Sequence, residues 1–130
     1  MGPQSARAVA LDAGALVAFE RNDRRVRRLV ELAVENGLRL YVAAGVVGQV
    51  WRDGVRQARI SRLLGSEAVV VQALDVDEAK AAGVMCGIAG TADVIDSSVA
   101  LLARRYGASV VTSDPDDLRR LDSSLELVRC

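Results

Sequence analysis

The chain of 130 residues contains no histidine. That absence excludes imidazole acid–base catalysis and argues against a zinc site. Cysteine is nearly as scarce. Cys86 and Cys130 cannot make a disulfide framework, so a reduced, cytoplasmic setting is the simpler expectation. Aromatic residues are limited to Phe19, Tyr41, Trp51 and Tyr106, which leaves a core built mainly from Val, Leu, Ile and Ala. Long apolar runs are missing too. No stretch approaches the roughly 20 residues a membrane span needs. The opening MGPQSARAVALDAGALVAF is interrupted by Asp12 and lacks the layout of a signal peptide. Neither sign of charge is in excess: 17 basic residues face 17 acidic ones. Any contact with nucleic acid must therefore use a local basic patch rather than a global pull. Lysine is represented by Lys80 alone.

What remains is aliphatic and regularly patterned, and a chain this long suits one domain with one core, taken to span 1–130. Residues 7–11, RAVAL, read as a short buried strand, and 14–20 as a turn or two of helix. A helix is expected over 22–35, with Val26, Leu29, Val30 and Ala33 on one side and Gly37 past its end. Strands follow at 38–43 and 69–74, separated by helices near 45–52 and 55–64. Residues 75–87 open with acids, as helix N-termini prefer, and 87–92 read as a loop of small residues. A helix over 93–106 ends at Gly107, 108–112 is a strand, 115–121 a short helix, and 125–128 a last strand. This alternation predicts a mostly parallel sheet covered on both faces.

The sheet gives the acidic residues a common destination. In open α/β sheets, ligands bind outside the carboxyl ends of the strands. Asp12 directly follows the first strand, and Asp114 lies beyond Thr112 at the end of a later one. If those strands are neighbours, the two carboxylates arrive at one edge. Asp93 and Asp96 sit three apart in the first turn of DVIDSSVALLARRY, and Asp96 borders its apolar stripe of Ile95, Val99, Leu102 and Tyr106. Helix capping explains each acid separately. Asp114 suits an N-cap before Pro115, Asp117 a capping-box acid, and Asp93 an N-cap with Asp96 in the third position. A cluster has another consequence: two carboxylates roughly 4 Å apart repel by about 4 kcal/mol at an effective dielectric near 20. Four together raise their own pKa values or recruit a cation, and oxygen-only ligands suit Mg²⁺ or Mn²⁺.

Asp12 in VALDAGALVAF, Asp96 in ADVIDSSVALLARRYG and Asp114 in VVTSDPDDL together resemble the PIN domain, particularly the VapC-type toxin ribonucleases. The resemblance covers nearly the whole chain and rests on the order and spacing of these segments. It implies a three-layer α/β/α sandwich with a mostly parallel central sheet and an acidic pocket for one or two Mg²⁺ or Mn²⁺ ions. It further implies hydrolysis of RNA phosphodiesters, a homodimer, and inhibition by a cognate antitoxin. By resemblance Asp12, Asp96 and Asp114 are metal ligands, Asp93 is an added acid, and Asp117 stands at the pocket rim or in a cap. The family usually carries a glutamate early in the helix after its second strand. Here AAGVVGQVWRDG places Gln49 there, an amide that can ligate or orient water but adds no charge.

Other features stay open between two readings. Arg52, Arg56, Arg59 and Arg62 make a stripe if helix persists across Gly54, and that stripe leads RNA phosphates toward the acids or is a solvated face. The arginines of RNDRRVRRL, 21–29, read as solvated surface. Trp51 stacks a base or packs in an interface, and Met85 and Cys86 fill core gaps. Thr112 and Ser113 bind a phosphate or water, or form an ordinary strand-to-helix turn. Two other functions compete with a metal-dependent endoribonuclease. A receiver-like phospho-switch also gathers acids at strand ends, but Asp12 stands alone and Lys80 is misplaced for it. A PIN-like RNA-binding module with an inactive site is the other, kept open by Gln49.

Overall fold

The computed structural model describes residues 8–130. Among the described residues, five strands and seven helices alternate, in the three-layer α/β/α arrangement expected. The strands are β1 (Ala8–Leu11), β2 (Arg39–Ala43), β3 (Val69–Gln72), β4 (Ala108–Thr112) and β5 (Leu127–Arg129). The helices are α1 (Ala13–Glu20), α2 (Arg24–Glu35), α3 (Ala44–Val50), α4 (Ala58–Leu64), α5 (Val76–Ala89), α6 (Val94–Tyr106) and α7 (Pro115–Leu121). Every pairing is parallel, in the order β3-β2-β1-β4-β5. The chain therefore steps one way from β1 to β3, then crosses back to place β4 on the other side of β1. Right-handed crossovers put the helices of those two halves on opposite faces. Accordingly α1 touches α2 and α4, while α6 touches α5 and α7, and α3 reaches both α1 and α6.

The boundaries of α5 and of the last strand differ from expectation, each for a local reason. Arg7, expected to open the first strand, lies outside the described residues. Helix α5 runs on through Gly87 to Ala89 and stops at Gly90, whose φ of 75° is left-handed, so the expected loop shrinks to 90–93. The last strand starts at Leu127 rather than 125 because Asp122 first makes a turn, accepting from the amide and hydroxyl of Ser124. The break expected near Gly54 is present, between α3, which ends at Val50, and α4, which starts at Ala58, so the condition for an arginine stripe is not met. Gln57 explains the break, since its side chain accepts from the amides of Arg52 and Asp53 and donates to the carbonyl of Val50. Those bonds satisfy backbone groups that a continuous helix would otherwise have used.

The core is aliphatic, as the scarcity of aromatics requires. Leu11, Leu16, Leu40, Ile60, Val99, Val110, Val111 and Leu118 are among its fully buried side chains. β1 and β4 are buried along their whole length, as strands covered on both faces must be. Met85 and Cys86 fill gaps there as expected, with Cys86 Sγ 3.1 Å from Ser97 Oγ. Both cysteines are free thiols. Tyr41 on β2 stacks on Tyr106 of α6 with centroids 4.1 Å apart. Among the described residues, no single helix is long and apolar enough to cross a membrane.

Candidate functional site

The sheet order reverses between β1 and β4, and that switch point opens the crevice in which α/β sheets bind ligands. Register brings the two acids to it. Leu11 pairs with Val111, and the Asp12 amide donates to the Val111 carbonyl at 3.2 Å, so Asp12 comes level with Thr112. The Asp12 carboxylate caps α1 by accepting from the Ala15 amide at 3.3 Å. It also accepts from the Gly14 amide and the Thr112 hydroxyl, bonds that favour its charged form. Burial outweighs them, with Asp114 adding repulsion, and Asp12 has a raised pKa.

Thr112 does more than turn the chain. It is fully buried, and its hydroxyl oxygen accepts from the Asp114 amide at 2.9 Å while the hydroxyl bonds Asp12. One threonine thus ties the Asp12 carboxylate and the Asp114 backbone together at the ends of adjacent strands. The same unit recurs at α6, where Thr91 Oγ1 accepts from the Asp93 amide at 3.2 Å. The sequence carries this as two Thr-x-Asp triplets, Thr91-Ala92-Asp93 and Thr112-Ser113-Asp114. Capping fully accounts for neither. Asp93 does cap α6, accepting from the Asp96 amide at 2.9 Å. Asp114 holds the N-cap position of α7 but its carboxylate makes no cap hydrogen bond. Its own amide is spent on Thr112, so no capping box forms with Asp117; the two carboxyl groups bond to each other instead.

Asp93, Asp96 and Asp117 line one cavity of about 160 Å³ with Thr91, Arg120 and Leu121. Burial in it, then the charge and hydrogen bond of Asp93, then the charges of Asp117 and Asp12, push the Asp96 pKa up to about 7. Asp117 is raised by its hydrogen bond to Asp114 and by that residue's charge. The five acids therefore sense one another across three elements of the crevice. Asp122 is a useful contrast. The Ser124 hydrogen bonds and the bidentate Arg104 guanidinium, at 2.9 and 3.0 Å, hold it below the usual carboxylate range. Asp122, with a structural job, is paired and lowered; Asp12, Asp96 and Asp117 are crowded by other acids and raised.

The donor chemistry fits a hard divalent cation: oxygen atoms only, in excess negative charge. In the metal-free protein, the charge and hydrogen bond of Asp93 favour the protonated form of Asp96, and those of Asp114 the protonated form of Asp117. Among the described residues, no three acid or thiol side chains already surround a single point. A cation would compete with the protons that Asp96 and Asp117 hold.

Other expected site residues go elsewhere. Gln49 is exposed and lines a neighbouring cleft of about 440 Å³ with Ala13, Gly14 and Ser113, not the cavity of Asp93, Asp96 and Asp117. The arginine stripe does not exist, because its helix is broken at Gly54. Arg52 donates to the carbonyls of Gly48 and Trp51, Arg56 pairs with Asp53 at 3.8 Å, and Arg59 pairs with Glu20 at 3.9 Å. Arg59 and Arg62 share a separate cleft with Arg27 and Phe19. None of the four lines the acidic cavity. Trp51 is half-exposed and packs over Gly54.

Two residues were passed over. Arg120, in a doublet that reads as ordinary helix surface, is the basic residue of the acidic cavity. Gly14 sets the approach of α1 to the loop after β4: a Cβ there would lie 2.7 Å from the Ser113 Cβ and 3.1 Å from its backbone nitrogen. Gly14→Ala should therefore force apart the loops bearing Asp12 and Asp114, at a cost of about 1–3 kcal/mol. Urea unfolding checks this. A loss under about 0.5 kcal/mol, the range of ordinary surface substitutions, would show that the close approach is not tight. No protein-family model matches this sequence, and no curated protein matches it.

Proposed function

We propose that this chain is a metal-dependent endoribonuclease of PIN type, the toxin of a toxin–antitoxin pair, hydrolysing RNA phosphodiester bonds with Mg²⁺ or Mn²⁺. The observation that carries the reading is the convergence of Asp12, Asp93, Asp96, Asp114 and Asp117 at the switch point, where four of them come from the ends of β1 and β4 and the start of α6. Asp12, Asp96 and Asp114, with Asp93, would hold the ion. When bound, it supplies Lewis acidity and neutralises charge developing on the phosphate. Thr91 and Thr112 hold the backbones of Asp93 and Asp114, and Thr112 also bonds the Asp12 carboxylate. Asp117, at the rim, is the carboxylate left to accept a proton from the attacking water, since the chain has no histidine. One water is consumed as a P–O bond breaks, leaving a phosphate monoester and a hydroxyl. A homodimer and an inhibitory antitoxin belong to the same reading.

The receiver-like alternative loses its ground in the topology. Receiver-type sheets run 2-1-3-4-5, whereas this one runs 3-2-1-4-5. An RNA-binding module without activity is the competing reading, since Gln49, where the resembled family has a glutamate, brings no charge to the cleft beside the acids. The deciding experiment is cleavage of structured RNA by the purified protein with Mn²⁺, with Mg²⁺ and with EDTA. Cleavage that needs the metal is expected. RNA binding without cleavage in either metal would favour the inactive module.

A further inference from the structure

Within the acidic cavity stands one cation of the chain's own. Arg120 on α7 lines it with Asp93, Asp96 and Asp117. Its neighbours are differently placed. Arg119 is paired with Asp116 at 3.0 Å and Arg104 with Asp122 at 2.9 Å. Arg120 forms no ion pair within 4.0 Å among the described residues, although Asp117 is one helical turn before it and three carboxylates share its cavity. A guanidinium beside surplus acid yet bound to none of it keeps its donor fork free for another anion.

We propose that Arg120 binds a backbone phosphate of the substrate, presenting its paired N–H donors to the phosphate's non-bridging oxygens at the edge of the acidic cavity. The assignment rests on the nuclease reading above and names the group that lets such a site accept a polyanion. Five carboxylates alone repel RNA. A fixed cation at their rim offsets that repulsion where the phosphate must enter, and a guanidinium fork matches phosphate oxygens two at a time. The cavity's volume, about 160 Å³, suits a phosphate group rather than a nucleotide, being below the roughly 300 Å³ at which small-molecule pockets begin. Recognition there reads the backbone and not the base.

The assignment makes two effects of opposite sign. Arg120→Ala removes a contact to phosphate, so RNA affinity should fall by about tenfold, with KM rising more than kcat falls. The salt dependence of binding should lose about 0.7 of a unit in log Kd per log salt, one contact's share on single-stranded RNA. The same change removes a positive charge from beside the cation site, so Mn²⁺ should bind more tightly, not less. Arg120→Lys keeps the charge and should retain the salt slope while regaining only part of the affinity.

RNA affinity would be measured by fluorescence anisotropy of a labelled oligonucleotide in Ca²⁺ over a salt series, and Mn²⁺ affinity by the metal-induced shift in melting temperature. Weaker RNA binding together with tighter Mn²⁺ binding is the expected result. Unchanged RNA affinity and salt slope in Arg120→Ala, with the wild type still cleaving RNA, would overturn the assignment alone. A parallel loss of RNA binding, Mn²⁺ binding and metal-free melting temperature would overturn it in favour of a structural role. A wild type that neither binds Mn²⁺ nor cleaves RNA would overturn the nuclease reading, and this assignment with it.

Discussion

Asp96→Asn is expected to abolish RNA cleavage while making the metal-free protein more stable at pH 8. The activity loss should be at least about 100-fold, the scale seen when a group acting on developing charge is removed. The gain in stability follows from the site's crowding. Burial and the neighbouring acids push the Asp96 pKa up to about 7, against 3.8 for an unperturbed aspartate. Ionising Asp96 at pH 8 therefore costs the folded protein more than the unfolded one, and asparagine removes that cost. Asp96 is only half-buried, so solvent screening trims the gain to about 1 kcal/mol, or roughly 3–5 °C in melting temperature for a domain this size. Asparagine also leaves the Asp93 bond to the Asp96 amide in place. Cleavage assays and thermal melts of both proteins in EDTA are the measurement. A variant less stable than wild type at pH 8 would show that Asp96 is a structural acid like Asp122.

The second large effect joins pH to metal. Asp12, Asp96 and Asp117 all have raised pKa values in the folded state. Between the unfolded value of 3.8 and the folded value near 7, the native protein holds more protons than the unfolded chain. Stability of the metal-free protein should therefore fall as pH rises across that window. Asp122, with its lowered pKa, acts in the opposite sense and only in more acid solution. Mn²⁺ competes with those protons, so its stabilisation should grow over the same range in which the apo protein weakens. At pH 8 and a metal concentration 100 times Kd, the gain is about 2.7 kcal/mol, roughly 10 °C. At pH 5 it should nearly vanish. Melting curves from pH 5 to 8, with Mn²⁺ and with EDTA, give both slopes. A Mn²⁺ shift independent of pH would mean that the ion binds away from these acids.

Much of this arrangement was legible in the chain, for reasons that differ by element. Strand–helix alternation and two uncharged, largely aliphatic strands, β1 and β4, announce a buried parallel sheet. The convergence of Asp12 with Asp114 required one further fact, the adjacency of β1 and β4, which no local pattern carries. Asp93 and Asp96 were legible because three-residue spacing in a helical turn is itself geometry. The arginine stripe misled because its periodicity was sound but its helix was not: Gln57 binds the backbone on both sides of the break, a tertiary use of a side chain that spacing cannot reveal. Gln49 was aligned by position along the chain, while the cleft it lines is set by how α3 meets α1. Thr112 read as a turn residue, and it is one. Its second hydrogen bond, to Asp12, crosses between strands about 100 residues apart in sequence and so had no local trace.

That separation also bears on how the protein is made. β1 lies at the centre of the finished sheet, yet its β4 neighbour is pairing across a register of Leu11 to Val111. During synthesis β1 can pair with β2 after about thirty residues, but its other side stays an open edge until β4 emerges. Such long-range pairing is slow to form, since loop closure must precede the contacts that reward it. Asp12 and Asp114 become neighbours only at this late step. Whatever chemistry the crevice performs is therefore withheld from the growing chain until the residues between Leu11 and Val111 have all been added and its two halves can close.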